Sequence, residues 1–188
     1  MQDETTPLLL SVHLENNYAA SQGGGAFAGD FSQLTMEGCT LQNNTAGAGN
    51  GGGVYIIDYT DLHLHNCTFI ENDAVSGGGL YIKSRTEDCE VADCTFERNR
   101  ANLEGGALST GSSAVVSVRN CKFLKNSVAQ GDGGAVFIRS SAHPTIVDCI
   151  IADNFAWALG GGLMMSDLSE TKASNITVLC VLCGCSLC

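Results

Sequence analysis

The stretch Cys67-Thr68-Phe69-Ile70-Glu71-Asn72 returns as Cys94-Thr95-Phe96-Glu97-Arg98-Asn99 and again as Cys121-Lys122-Phe123-Leu124-Lys125-Asn126. Working outward, the same cysteine stands at Cys39 and Cys149, so the five are spaced by 28, 27, 27 and 28 residues. Two positions after each comes a large apolar residue (Leu41, Phe69, Phe96, Phe123, Ile151), and three further on an asparagine (Asn44, Asn72, Asn99, Asn126, Asn154). A glycine pair begins at Gly24, Gly52, Gly78, Gly105, Gly133 and Gly161, spaced by 28, 26, 27, 28 and 28. Three columns that keep one period mark a repeat protein whose units stack.

Inside a unit the pattern alternates. Leu62 and Leu64, Cys67 and Phe69, and Val116 and Val118 are separated by His63, Thr68 and Ser117. That is the two-residue period of a strand, and the glycines and asparagines interrupt every window long enough for a helix. Each unit offers about three short strands: one after the glycine pair, one before the cysteine and one through Cys-x-Phe. One unit cannot bury its inner face alone, so equivalent residues must stack about 4.8 Å apart in neighbouring coils. The expected fold is all-β: a right-handed, single-stranded parallel β-helix of about 27 residues per coil and five to six coils. Cys, Phe and Asn then form internal columns. The asparagines are expected to form an amide ladder while themselves taking left-handed backbone geometry, and the glycines to form a tight corner.

The repeats occupy residues 11–179, preceded by an N-terminal extension (1–10) and followed by a Cys-rich tail (180–188). Leu14 and Asn17 match the end of a preceding coil, and Asn175-Ile176-Thr177-Val178-Leu179 matches Asn66 to Ile70. The pattern therefore starts and stops in mid-coil with no polar cap, and the expectation is a fragment of a longer solenoid that can self-associate end to end. The acidic start and the short run Leu8 to Leu10 are neither a signal peptide nor a transmembrane segment. With 9 basic against 20 acidic residues and a net charge of −11 there is no basic footprint for nucleic acid.

Gly105-Gly106-Ala107-Leu108 and Gly133-Gly134-Ala135-Val136, alternating with Phe69 to Asn72, Phe96 to Asn99 and Phe123 to Asn126, resemble the repeats of chlamydial polymorphic outer membrane proteins. The resemblance covers roughly residues 10 to 179. It implies a right-handed β-helix displayed extracellularly or at the cell surface as an adhesin, with a protein or glycan ligand.

Free cysteine behaves as a small apolar residue, so Cys39, Cys67, Cys94, Cys121 and Cys149 are expected as reduced, buried thiols. Cys89 belongs to the aliphatic column of Leu62 and Val116. The tail thiols Cys180, Cys183, Cys185 and Cys188 have the softness for Zn²⁺ or Cu⁺, although structural zinc sites usually pair two distant Cys-x-x-Cys knuckles and this tail supplies no distant second one.

Parallel β-helices include pectate lyases and polygalacturonases, whose chemistry needs clustered carboxylates. Here the acids scatter. Asp93 and Asp148 precede their cysteines; Asp30, Asp58 and Asp167 fall six residues after a glycine pair; Asp58, Asp61 and Asp30 make the best local group. No catalytic residue and no cofactor is assigned, and the chain reads as a non-enzyme. The alternatives are a carbohydrate-active or lectin-like β-helix remnant and a structural fragment without activity of its own. His63-x-His65 places two imidazoles on one outward face, a weak metal pair by itself. Phe27, Tyr55 and Tyr81, continued by Leu108, Val136 and Met164, form a stripe. Facing outward it is an interaction surface, and rotated by one residue it is core. The sequons at Asn43, Asn66 and Asn175 arise from the repeat itself.

Overall fold

The computed structural model describes residues 7–86, 88–111, 113–139, 141–166 and 170–179, and the backbone of 182–183. The described residues form short strands throughout and no helix. The strands assemble into four parallel sheets of seven, seven, seven and six strands. One coil contributes Asp61–His65 to the first sheet, Thr68–Ile70 to the second, Asp73–Ser76 to the third and Leu80–Ser84 to the fourth. Each strand pairs with its counterparts one coil below and above, so Phe69 is in register with Leu41 and with Phe96. The chain is a right-handed parallel β-solenoid of about six turns. Among the described residues the first strand is Leu8–Leu10, which pairs with Thr35 to Glu37, inside the segment expected to be an extension.

The coil has four strands rather than three. The additional one follows the ladder asparagine, and its inward column is Ala46, Ala74, Ala101, Val128 and Ala156, all buried. Small side chains there leave room for the aromatic column of the second sheet. Phe69, Phe96 and Phe123 are fully buried and stack at 4.6 and 5.1 Å between ring centroids. Burying each ring contributes roughly 1.5–3 kcal/mol and each stack about 0.5–1.5 kcal/mol more.

Two corners of every coil are set by left-handed backbone. The residue before each repeat cysteine (Gly38, Asn66, Asp93, Asn120, Asp148) has φ between 51° and 61°. Gly, Asn and Asp reach that region at least cost. Asp93 and Asp148 therefore serve geometry, and their carboxylates accept hydrogen bonds from Asn120 and Asn175 one coil on. At the second corner the residue before the ladder asparagine (Asn43, Glu71, Arg98, Lys125, Asp153) is left-handed, with φ of 52–56°, and the ladder asparagines are not. This corrects the expectation drawn from asparagine's tolerance of positive φ. The asparagines are placed by their amide hydrogen bonds instead.

Those bonds run the length of the solenoid. Asn72 Oδ1 accepts from the backbone N–H and the Nδ2 of Asn44, at 3.0 Å each. Asn72 Nδ2 donates to Asn99 Oδ1 and to the Leu41 carbonyl, both at 2.9 Å. The pattern repeats at Asn99 and Asn126, and all five asparagines are fully buried.

The third corner is glycine. Gly105 is left-handed with φ of 57°, and a Cβ on Gly106 would lie 2.3 Å from the Gly134 carbonyl oxygen of the next coil. The corner thus spans three positions: a left-handed glycine, a glycine against its neighbour's backbone, and a third that is Gly or Ala. Gly105 and Gly133 are first members of such triplets, whereas Gly24, Gly52 and Gly78 are second members. Aligning them as equivalents shifts two coils by one residue, and such a slip exchanges the faces of a strand. Leu108 and Val136 accordingly continue the inward column of Val54 and Leu80. The outward partners of Tyr81 are Ser109, then Phe137 and Met164.

Candidate functional site

On the outer face of the fourth sheet Phe27, Tyr55 and Tyr81 stand in register on successive coils. Their rings stack at 5.6 and 5.4 Å between centroids. They are not equally accessible. Phe27 is 55% exposed, Tyr55 between its two neighbours only 2%, and Tyr81 is half-buried. Tyr55 is thus outward-pointing yet packed. Burial, and then Asp58, raise the Tyr55 phenol above its usual range. Burial followed by Tyr55 and Glu104 does the same for Tyr81. Both hydroxyls stay protonated at neutral pH and can donate. Farther along, Phe137 is buried beneath the Arg139 guanidinium, 5.6 Å from its ring centroid.

Beside this ladder lies a second aromatic pair that the repeat columns did not single out. Phe31 and Tyr59, in the loop between the fourth and first sheets, stack at 5.1 Å and are 55% and 49% exposed. Their 28-residue spacing was the available signal. Tyr59 lines an open groove with Asp58, Lys83 and Arg85. Asp58, expected in an acidic group with Asp30 and Asp61, therefore sits among two cations. It has φ of 62° and Asp30 has φ of 59°, so both occupy left-handed turn positions.

The five repeat cysteines are free thiols within the core, as is Cys89 in register with Leu62. Cys67 Sγ lies 3.3 Å from the His65 carbonyl oxygen and 3.4 Å from that of Met36. Burial raises the thiols of Cys39 and Cys89. The Cys94 thiol is raised by its hydrogen bonds to Cys121 and Cys67, with burial adding to them. The neutral, buried thiols of Cys39 and Cys89 are poor nucleophiles. Cys180, Cys185, Cys188 and Asp167 lie outside the described residues, as does the side chain of Cys183.

His63 and His65 project from the outer face of the first sheet. Among the described residues, the one place where three or more His, Cys, Asp or Glu ligand atoms meet is His63, His65 and Glu90, all within 4.8 Å of one another. No helix among the described residues is long and apolar enough to cross a membrane.

Searches of curated proteins and of solved structures find no match to this chain. A comparison with models of protein families matches residues 10–138 to the right handed beta helix region. The matched span takes in the Asn ladder from Asn17 to Asn126 and the entire Phe69–Phe96–Phe123 stack, the features that make coils pile in register. On that ground the chain belongs to the right handed beta helix family.

Proposed function

We propose that this chain is a non-catalytic β-helix that works in adhesion or display, outside the cell or at its surface, and that the loop between the fourth and first sheets, beside the aromatic ladder of the fourth sheet's outer face, contacts a protein or glycan ligand. The observation that carries the reading is the exposed Phe31–Tyr59 pair beside the Asp58, Lys83 and Arg85 groove. Flat aromatic rings offer apolar area at low conformational cost, and charged groups alongside supply directional hydrogen bonds. The stacked, in-register strands on either side anchor the loops that carry both, which lowers the ordering cost of binding. The resemblance of the Gly-Gly-Ala and Phe-x-x-Asn repeats to polymorphic outer membrane proteins supports the same role.

The test is a glycan array and a whole-cell binding assay, each probed with the fluorescently labelled chain and with a Phe31→Ser/Tyr59→Ser variant. The variant should bind at least tenfold more weakly while keeping its unfolding midpoint, because both rings lie outside the core. Equal binding by the two proteins would remove the surface from consideration. Release of new reducing ends from a polysaccharide panel would replace adhesion by catalysis.

A further inference from the structure

The geometry points to a divalent transition-metal site, suited to Zn²⁺, on the outer face of the first sheet, formed by His63, His65 and Glu90. It is independent of the adhesive reading and uses none of the same residues. The site follows from the register. His63 and His65 stand two residues apart on Asp61–His65 and so share a face. Glu90 stands opposite His63 on the next coil, which brings its carboxylate within 4.8 Å of a ring nitrogen of each imidazole.

Three details distinguish this trio from ordinary surface polar residues. The Nε2 of His63 is shielded from solvent and has no hydrogen-bond partner, although the Asp88 carboxylate oxygen is only 3.5 Å away. A shielded nitrogen whose one polar neighbour is a carboxylate at this distance has room for a closer partner, and a bound ion supplies one. Arg119 holds Glu90 through Oε1, leaving Oε2 turned toward His65 Nε2 at 3.9 Å. That is the role an outer partner plays in orienting a ligating carboxylate. Finally, Ala92 occupies the position opposite His65, so no large side chain from that coil fills the space above the imidazole.

Two imidazoles and one carboxylate suit Zn²⁺, with Asp88 or water in the fourth position. Zinc bonds of about 2.1 Å at tetrahedral angles place ligand atoms roughly 3.4 Å apart. The trio, within 4.8 Å, has to draw in by roughly 1.4 Å at most to reach that spacing. Calcium prefers six to eight oxygen ligands and should be rejected.

The chain has four histidines, His13, His63, His65 and His143, which gives a site-resolved readout. Imidazole ¹⁵N NMR of the full, reduced chain, titrated with Zn²⁺ past the amount that the tail thiols take up, should move His63 and His65 and leave His13 and His143 in place. Zn²⁺ affinity is then measured in the full chain with Cys180, Cys183, Cys185 and Cys188 replaced by Ser, which removes thiol competition. His63→Gln and His65→Gln should each weaken binding at least tenfold and Glu90→Gln at least threefold, with unchanged circular dichroism because all three face outward. The NMR arm uses the unsubstituted chain and does not depend on any variant folding. If His63 and His65 respond no more than His13 and His143, or if the three substitutions leave affinity unchanged, the site is refuted.

Discussion

Replacing Asn99 by Ala should cost several kcal/mol, although no charge and little apolar surface is lost. Asn99 Oδ1 accepts the Asn72 backbone N–H at 3.1 Å and Asn72 Nδ2 at 2.9 Å. Its own Nδ2 donates to the Phe69 carbonyl at 2.9 Å and to Asn126 Oδ1 at 3.1 Å. Alanine strands two donors of Asn72 in a fully buried corner, each at about 1–3 kcal/mol, for a total of roughly 2–6 kcal/mol. Asn17→Ala is the internal control. Asn17 is exposed and only donates, and its backbone N–H keeps its bond to Asn44 Oδ1, so the cost should stay within about 1 kcal/mol. Asn99→Asp isolates the donors, since a carboxylate retains the acceptor and removes both N–H groups. It should be more damaging at pH 7 than at pH 4, where the introduced carboxyl gains a proton and can donate again. Urea unfolding monitored by circular dichroism, with midpoint and slope fitted together, gives each value. If Asn99→Ala costs no more than Asn17→Ala, the ladder does not hold the coils together and the account of the second corner fails.

Gly106→Ala should destabilise by about 1–3 kcal/mol, because the added methyl meets the Gly134 carbonyl at 2.3 Å and cannot be relieved by a side-chain turn. Gly79→Ala, at the position where the next coil already has Ala107, should cost clearly less in the same unfolding assay. Phe96→Ala should cost about 3–5 kcal/mol, since it opens a cavity and removes both ring stacks. Phe96→Leu, matching Leu41, should recover much of that loss. Alkaline pH should destabilise the chain. Burial raises the Cys39 and Cys89 thiols in the fold, so their contribution is fully present below the ordinary thiol value of about 8.5 and is lost as pH rises through the raised folded values. The urea midpoint should therefore fall steadily above that pH, and a flat profile to strongly alkaline pH would contradict it.

The repeat was legible because stacking in register forces like residues into columns, and columns survive in a linear sequence as spacing. The five cysteines, the Phe stack and the buried Asn ladder are visible for that reason. The fourth strand was not, because its inward column is mostly alanine, a residue that signals no face. The glycine corner misled in a particular way: a triplet and a pair plus alanine have the same shape but different glycine counts. Counting from the first visible pair displaced Leu108 and Val136 onto the wrong face. Tyr55 shows a different limit. Alternation correctly points it outward, but only the stacking of Phe27 and Tyr81 on either side determines that it is covered. Glu90 could not be attached to His63 and His65 by local spacing, since it comes from the next coil, 27 residues after His63.

The ladder and the ring stack also define what kind of length change the molecule can absorb. Excision of residues 94–120 would set Cys67 beneath Cys121, Phe69 beneath Phe123 and Asn72 beneath Asn126, each a pairing of like with like. Loss of a few residues from the run between a cysteine and its asparagine would put those columns out of step at once. The solenoid can thus be lengthened or shortened a storey at a time, and its reach is adjustable by copying coils with no new core to invent.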